Sequence, residues 1–272
     1  MKTALCYAGQ IGAFHQSLGA QSQSFLDDCD DIYAYTSHLV THKGLNYYNA
    51  KEETNCNIFQ PVSKVYKYLE GYKGWRKNID GYGVIYQIDK KTIWQCLSPL
   101  IEKIKCLYIE EENLEECLDD LNMSKWEWMK KRQFHKMYQS NELIKKSEEN
   151  YDIVIRCRFD LSPLIKVEIK KIFEEEGDDN TVFVFGGFGC TPPMVFMDEY
   201  ICDGFAFGSP RVMDIFSSLY LKEDPYPYNP KYKDCWEKWG DNAEYQVRTH
   251  LETNGVKIKY IGNKRSMYHV FR

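Results

Sequence analysis

The sequence predicts an α/β fold with a mixed, mostly parallel central sheet, and three stretches carry that expectation. The chain opens strand, glycine turn, helix, strand; its middle runs a long amphipathic helix into an apolar strand; its last third alternates apolar strands with helices. A strand–helix–strand opening pairs its two strands in parallel, because the helix returns the chain to the same end of the sheet.

The elements follow in order. Residues 3–8 (TALCYA) are a short apolar strand, and Gly9-Gln10-Ile11-Gly12 is a turn into a helix reaching about Leu26. After the acidic DDCDD comes a second apolar strand, Asp31 to Thr36. Residues 40–90 are rich in Tyr, Lys and Gly without a sustained period and predict irregular chain with short strands or turns. From 91 to 150 the apolar spacing fits helical periods through TIWQCLSPLIEKIKCLYI, LEECLDDL and the segment Ser124–Glu149, the longest helix expected. Ser124 with Glu127 three residues on reads as a capping box, and Asn150 suits the helix exit. Tyr151 to Leu161 is a buried strand. A helix over about 165–176, the acidic turn EEEGDD and the strand TVFVF follow, then the loop GGFGCTPP. The strand 201–208, a helix over about 210–221, a Pro- and Tyr-rich loop, a helix over about 241–254 and the strand VKIKYIG complete the chain.

Composition bounds the function. With 43% hydrophobic and 28% charged residues and a mean hydropathy of −0.55, the chain is of globular type, not disordered, collagenous or membrane-spanning. No window approaches the length of apolar residues that a membrane span needs. A net charge of −5, from 35 basic and 40 acidic side chains, speaks against a nucleic-acid binder with a strongly basic face. The 10 cysteines form no C-x-x-C pair and read as scattered free thiols. The start, MKTALCYAG, lacks the apolar segment and cleavage site of a signal peptide, so a reducing cytoplasm is the expected location. The 21 Tyr, 14 Phe and 6 Trp are spread along the chain, which reads as aromatic packing.

The most informative stretch is YDIVIRCRFDL (151–161), which sets Arg156, Arg158 and Asp160 at alternate positions, hence on one face of an extended segment. Two guanidinium groups and a carboxylate at one strand end are the mixture that a nucleoside diphosphate with a divalent cation requires. Parallel sheets bind ligands beyond their strand C-termini. Those ends here carry Ala8, Gly9, Gln10 and Thr36. Gln133, Lys136 and Ser140 share one face of the long helix, whereas His135 is assigned only a surface or packing role. Asp203-Gly204 places a carboxylate beside a glycine that lets a ligand approach the backbone, which suits sugar hydroxyls. Cys157 alternates with the arginines and faces the core. GGFGC lacks the Lys-Ser/Thr of a phosphate loop.

With YDIVIRCRFDL and DGFAFGS as its specific parts, the chain from about residue 3 to 261 resembles the small glycosyltransferase-like proteins of bacterial polysaccharide loci and large DNA viruses, which are similar to WavE-type lipopolysaccharide synthesis proteins. The resemblance implies a single GT-A-like, Rossmann-like domain over 1–272, nucleotide-binding over about 1–165 and acceptor-side over about 166–272. It implies sugar transfer from a nucleotide-diphosphate donor to a glycan acceptor, with Asp160 holding a divalent cation, Mn2+ or Mg2+. It sets the helix of Gln133 and Lys136 beside the nucleotide, and an acidic residue of the last helix, Glu244, towards the acceptor. The sequence departs from the pattern in two places: Arg158 stands where a DxD motif has its first Asp, and no Arg follows Gly9-Gln10 closely. If transfer inverts the anomeric centre, Asp203 and Glu244 compete for the role of general base. The alternatives are a nucleotidyltransferase, which would want two metal carboxylates near Asp160, and a non-catalytic nucleotide-sugar or carbohydrate-binding protein.

Overall fold

The structure, a computed structural model, describes residues 1–11, 14–43, 64–69, 83–87, 90–111, 124–186, 201–233, 242–261 and 268–270. β1 (Thr3–Ala8) is buried along its whole length, as a central strand covered on both faces must be. Helix α1 (Phe14–Ser24) returns the chain to β2 (Asp31–Ser37), which lies parallel to β1. β3 (Leu39–Lys43), β4 (Lys64–Leu69) and β5 (Gly83–Gln87) form a separate antiparallel sheet in the order β3-β5-β4, within the stretch expected to be largely irregular.

Helix α2 (Lys90–Leu97) follows, and then β6 (Ile104–Glu110) pairs parallel with β2. This corrects the helical reading of KIKCLYI. A short apolar run satisfies both periods, and the free edge of β2 decided between them.

The long helix forms as expected, in three joined parts: α3 (Lys125–Met129), a π-helical turn (Lys130–Phe134) and α4 (His135–Lys146). Its capping box is complete, with the Glu127 N–H donating to Ser124 Oγ and the Ser124 N–H to Glu127 Oε2. At the other end Glu148, not Asn150, takes the left-handed position, φ 58°. LEECLDDL lies outside the described residues.

β7 (Ile153–Cys157) lies parallel to β1 on the side away from β2. β8 (Leu161–Pro163) pairs with the late strand β12 (Tyr268–Val270), and α5 (Ile169–Glu176) leads to β9 (Thr181–Gly186). β10 (Ile201–Gly208) runs antiparallel to both β7 and β9, then Ser209 caps α6 (Pro210–Ser217). Asn242 caps α7 (Ala243–Thr253), which precedes β11 (Lys257–Ile261), parallel to β9.

The central sheet thus has seven strands in the order β11-β9-β10-β7-β1-β2-β6, mixed and mostly parallel as the sequence predicts. Strand alternation sends its side chains into two cores. Leu5, Tyr7, Ile32, Ala34, Ile153, Ile155 and Cys157 pack with Phe14, Ile93 and Ile169 of α1, α2 and α5. Ala4, Cys6, Tyr33, Val154 and Ala206 pack on the opposite face with Phe134, Met137, Phe216 and Val247 of the long helix, α6 and α7. The result is a sheet covered by helices on both faces. Among the described residues no helix is long and apolar enough to cross a membrane, and the described cysteines are free thiols.

Candidate functional site

The strand order reverses direction between β1 and β7: from β1 the chain steps outward to β2 and β6, whereas β7 continues the sheet on the other side. A crevice opens beyond the strand C-termini at such a switch point, where neighbouring connections diverge to opposite faces. The ends of β1 and β7 carry the residues singled out from the sequence, Ala8-Gly9-Gln10 and Arg156 to Asp160.

Gly9 has φ +125°, a conformation side chains rarely adopt, and its N–H donates to the Tyr35 carbonyl at 3.2 Å. A Cβ built on it would meet nothing within 4 Å among the described residues, so their side leaves the backbone open to close approach. Gln10 follows it, half-buried.

Beyond β7 the turn 158–161 is tied down from the first core. Gln21, fully buried on α1, donates from Nε2 to the carbonyls of Leu161 (2.7 Å), Arg158 (3.3 Å) and Phe159 (3.3 Å), and Ser17 Oγ donates to the Phe159 carbonyl. Cys157, Phe159 and Leu161 lie in that core, while Arg156 meets Phe216 of the second core; beyond β7 alternation gives way to the turn, in which the Leu161 N–H donates to the Arg158 carbonyl at 3.4 Å and Arg158 and Asp160 bond to each other. Nothing in the sequence singled out Ser17 or Gln21; the signal available was two uncharged polar residues four positions apart, hence on one face of the predicted helix.

The three charged residues differ in depth. Arg156 is 3% exposed, lies over the Phe216 ring at 5.8 Å and donates from Nη1 to the Asp203 carbonyl. Burial pulls its pKa below the usual arginine range, and its Nε has no hydrogen-bond partner. It is an internal strut between β7 and β10. Arg158 lies at the accessible edge, its side chain 26% exposed, and grips Asp160 through two parallel bonds, Nε to Oδ1 at 2.8 Å and Nη2 to Oδ2 at 2.7 Å. Burial opposes its charge, but Asp160 more than compensates and holds its pKa above the ordinary value. The Arg158 stem runs across Gly204, where a Cβ would come within 3.0 Å of Arg158 Cδ, and the Arg158 N–H donates to the Gly204 carbonyl at 2.9 Å. Asp203, 8% exposed, adds its charge to the field at both arginines. Cys157 faces the core between them, its thiol pushed far up by burial.

A second charged group stands on the same sheet face at the ends of β2 and β6. Glu110 Oε1 is 3.2 Å from His135 Nε2, and Glu110 Oε2 is 3.6 Å from Lys136 Nζ. Burial alone would raise the Glu110 pKa, but the His135 hydrogen bond and the Lys136 charge hold it below the usual carboxylate value. The Tyr35 and Tyr108 rings stack beside it at 5.0 Å. Glu110 Oε2 and Gln133 Nε2 are buried without a hydrogen-bond partner, a condition that costs free energy unless a water or ligand relieves it. Lys136 therefore falls beside an acid that sequence reading missed, and His135, expected only to pack, is that acid's partner. Glu110 closes an apolar strand, but the misassigned helix concealed that position.

Thr36 follows Ile32 and Ala34 towards the first core, on the opposite side of the sheet from Lys136; it is fully buried and its Oγ1 has no hydrogen-bond partner. Glu244 stands half-buried in the first turn of α7. Residues 187–200, which hold most of the GGFGCTPP stretch, and Asp241 lie outside the described residues.

The divalent cation that the resemblance implies does not fit the side chains as they stand. Both Asp160 oxygens are held by Arg158, and among the described residues no group of three or more His, Cys, Asp or Glu side chains is arranged to hold a metal ion.

No protein-family model matches the chain, and no curated protein matches it. Among solved structures, one that it is similar to is the nucleoside-diphosphate-sugar pyrophosphorylase from Vibrio cholerae RC9, with 98% of this chain and 93% of that chain covered, 11% identity and a TM-score of 0.41.

Proposed function

We propose that the protein is a glycosyltransferase that moves a sugar from a nucleoside-diphosphate donor to a glycan acceptor, in the manner of the WavE-type proteins its sequence resembles. The observation that carries this reading is the place of Arg158 just beyond the end of β7, the strand beside β1 at the switch point of the sheet, with Asp203 on the neighbouring β10. A guanidinium fork matches phosphate oxygens, and a neighbouring carboxylate accepts from sugar hydroxyls. In the transfer, the acceptor oxygen bonds to the anomeric carbon as the bond from that carbon to the phosphate oxygen breaks. The electron pair leaves with the diphosphate, and a carboxylate takes the acceptor's proton. Catalysis is then mainly positioning and electrostatic stabilisation of the leaving diphosphate.

A second reading has an observation of its own: the closed Arg158–Asp160 pair also suits a protein that binds nucleotide sugars without turning them over. One experiment separates them. Thermal melting is measured against UDP-, GDP-, CMP- and dTDP-sugars, with release of free nucleotide followed in parallel. A ligand at 100 times its Kd adds about 2.7 kcal/mol of stability, so binding shows as a raised melting temperature. A shift with nucleotide release supports the enzyme, a shift without it supports the binder, and no shift with any of them overturns both.

A further inference from the structure

We propose that Arg158 binds the donor's diphosphate and that Asp160 is its positioning residue, so that nucleotide binding needs no divalent cation. The inference rests on the nucleotide-sugar reading and says how charge is neutralised in that site. A guanidinium carries five N–H donors in a planar fork with two usable edges. Asp160 takes the edge formed by Nε and Nη2, at 2.8 and 2.7 Å. The other edge, with Nη1, has no partner among the described residues, and the side chain is 26% exposed. The stem lies over Gly204, the Arg158 backbone N–H donates to the Gly204 carbonyl at 2.9 Å, and the bidentate contact with Asp160 holds the guanidinium at the end of that stem.

Arg158 takes one lone pair of each Asp160 oxygen, and a cation bound to the remaining lone pairs would share a single carboxylate charge with the guanidinium and stand beside that like charge. Keeping the pair needs no such change: the Asp160 charge favours the charged guanidinium against its burial, and the bidentate contact fixes the plane of the fork and with it the remaining edge.

The test uses the full chain and calorimetric titration with UDP, GDP, CDP and dTDP, each against its parent nucleoside, in EDTA and in Mn2+. The expected result is a diphosphate affinity equal within twofold in the two buffers. Arg158→Ala should lower diphosphate affinity at least tenfold and leave nucleoside affinity unchanged; Arg158→Lys, which keeps the charge and loses the fork, should recover only part of it. Asp160→Asn should weaken the diphosphate several-fold and the nucleoside not at all. Diphosphate binding that vanishes in EDTA and returns with Mn2+ overturns the proposal, and this comparison needs no variant to fold. Wild-type affinity in Asp160→Asn removes its positioning role. Failure of every nucleotide to bind in either buffer overturns the nucleotide-sugar reading itself.

Discussion

Arg156, Arg158 and Asp160 occupy alternate positions of one segment, yet they end in three environments: beneath Phe216, across Gly204, and inside the grip of a neighbour two residues away. Alternation accounts for Arg156, on β7; Arg158 and Asp160 lie in the turn beyond it, where their mutual contact and Gly204 set their places. The two carboxylates proposed to serve the sugar invite the same separation. Asp203 lies in β10 with its charge felt by both arginines, whereas Glu244 begins α7. If transfer inverts, Asp203→Asn should lower donor affinity, while Glu244→Gln should keep donor binding and lose transfer by about 100-fold or more, the usual worth of a general base. Normal turnover in Glu244→Gln would pass the role of base to Asp203. Steady-state rates with donor titrations read both.

Among elements, the helix from Lys125 to Lys146 is the one whose local sequence and tertiary role agree most fully. Ser124 and Glu127 close its start, and Trp126, Met129, Phe134 and Met137 bury one side against the second core. The π-helical turn at Lys130–Phe134 is the part its periodicity did not announce. It inserts a residue into the helical count, and so alters which of Gln133 and Lys136 looks towards Glu110. Replacing Ser124 by Ala leaves the Glu127 N–H without its acceptor and should cost about 1 kcal/mol. In a chain of this size that is a fall of a few degrees in melting temperature, with nucleotide affinity unchanged. A drop in affinity larger than the drop in stability would mean that the helix start communicates with the site. The opposite case is β6, where the local pattern pointed to helix and the sheet edge prevailed.

On the scale of the whole molecule, stability should fall on the acid side in two stages. His250 sits buried between Tyr226, whose hydroxyl lies 2.9 Å from Nδ1, and the Ile215 carbonyl, 2.9 Å from Nε2. Burial lowers its pKa from the ordinary 6.5. The unfolded chain therefore takes up this proton first as pH falls, so the stability His250 contributes is fully present above about pH 6.5 and is lost as pH drops towards its folded value. Glu110, held below its ordinary 4.5, keeps its contribution above that pH and loses it lower still. Urea-unfolding midpoints should be level above about pH 6.5 and decline below it. His250→Gln should flatten the first stage and leave the second. A midpoint unchanged between about pH 7.5 and 5.5 would show that His250 is not kept neutral by the fold.

The sequence by itself determined the layered α/β class, the positions of β1, β2, β7, β9, β10 and β11, the capped long helix, and the strand end where two arginines and a carboxylate gather. These are properties of apolar period, turn chemistry and alternation, all set within about a dozen residues. Tertiary structure alone decided that KIKCLYI is a strand beside β2, that Thr36 faces away from Lys136, that Glu110 and His135 pair, and that Arg158 closes on Asp160. Each of these depends on which segment fills the neighbouring position or shares a buried face, and residues as distant as Gln21 and Leu161 meet only once the helix has packed on the sheet.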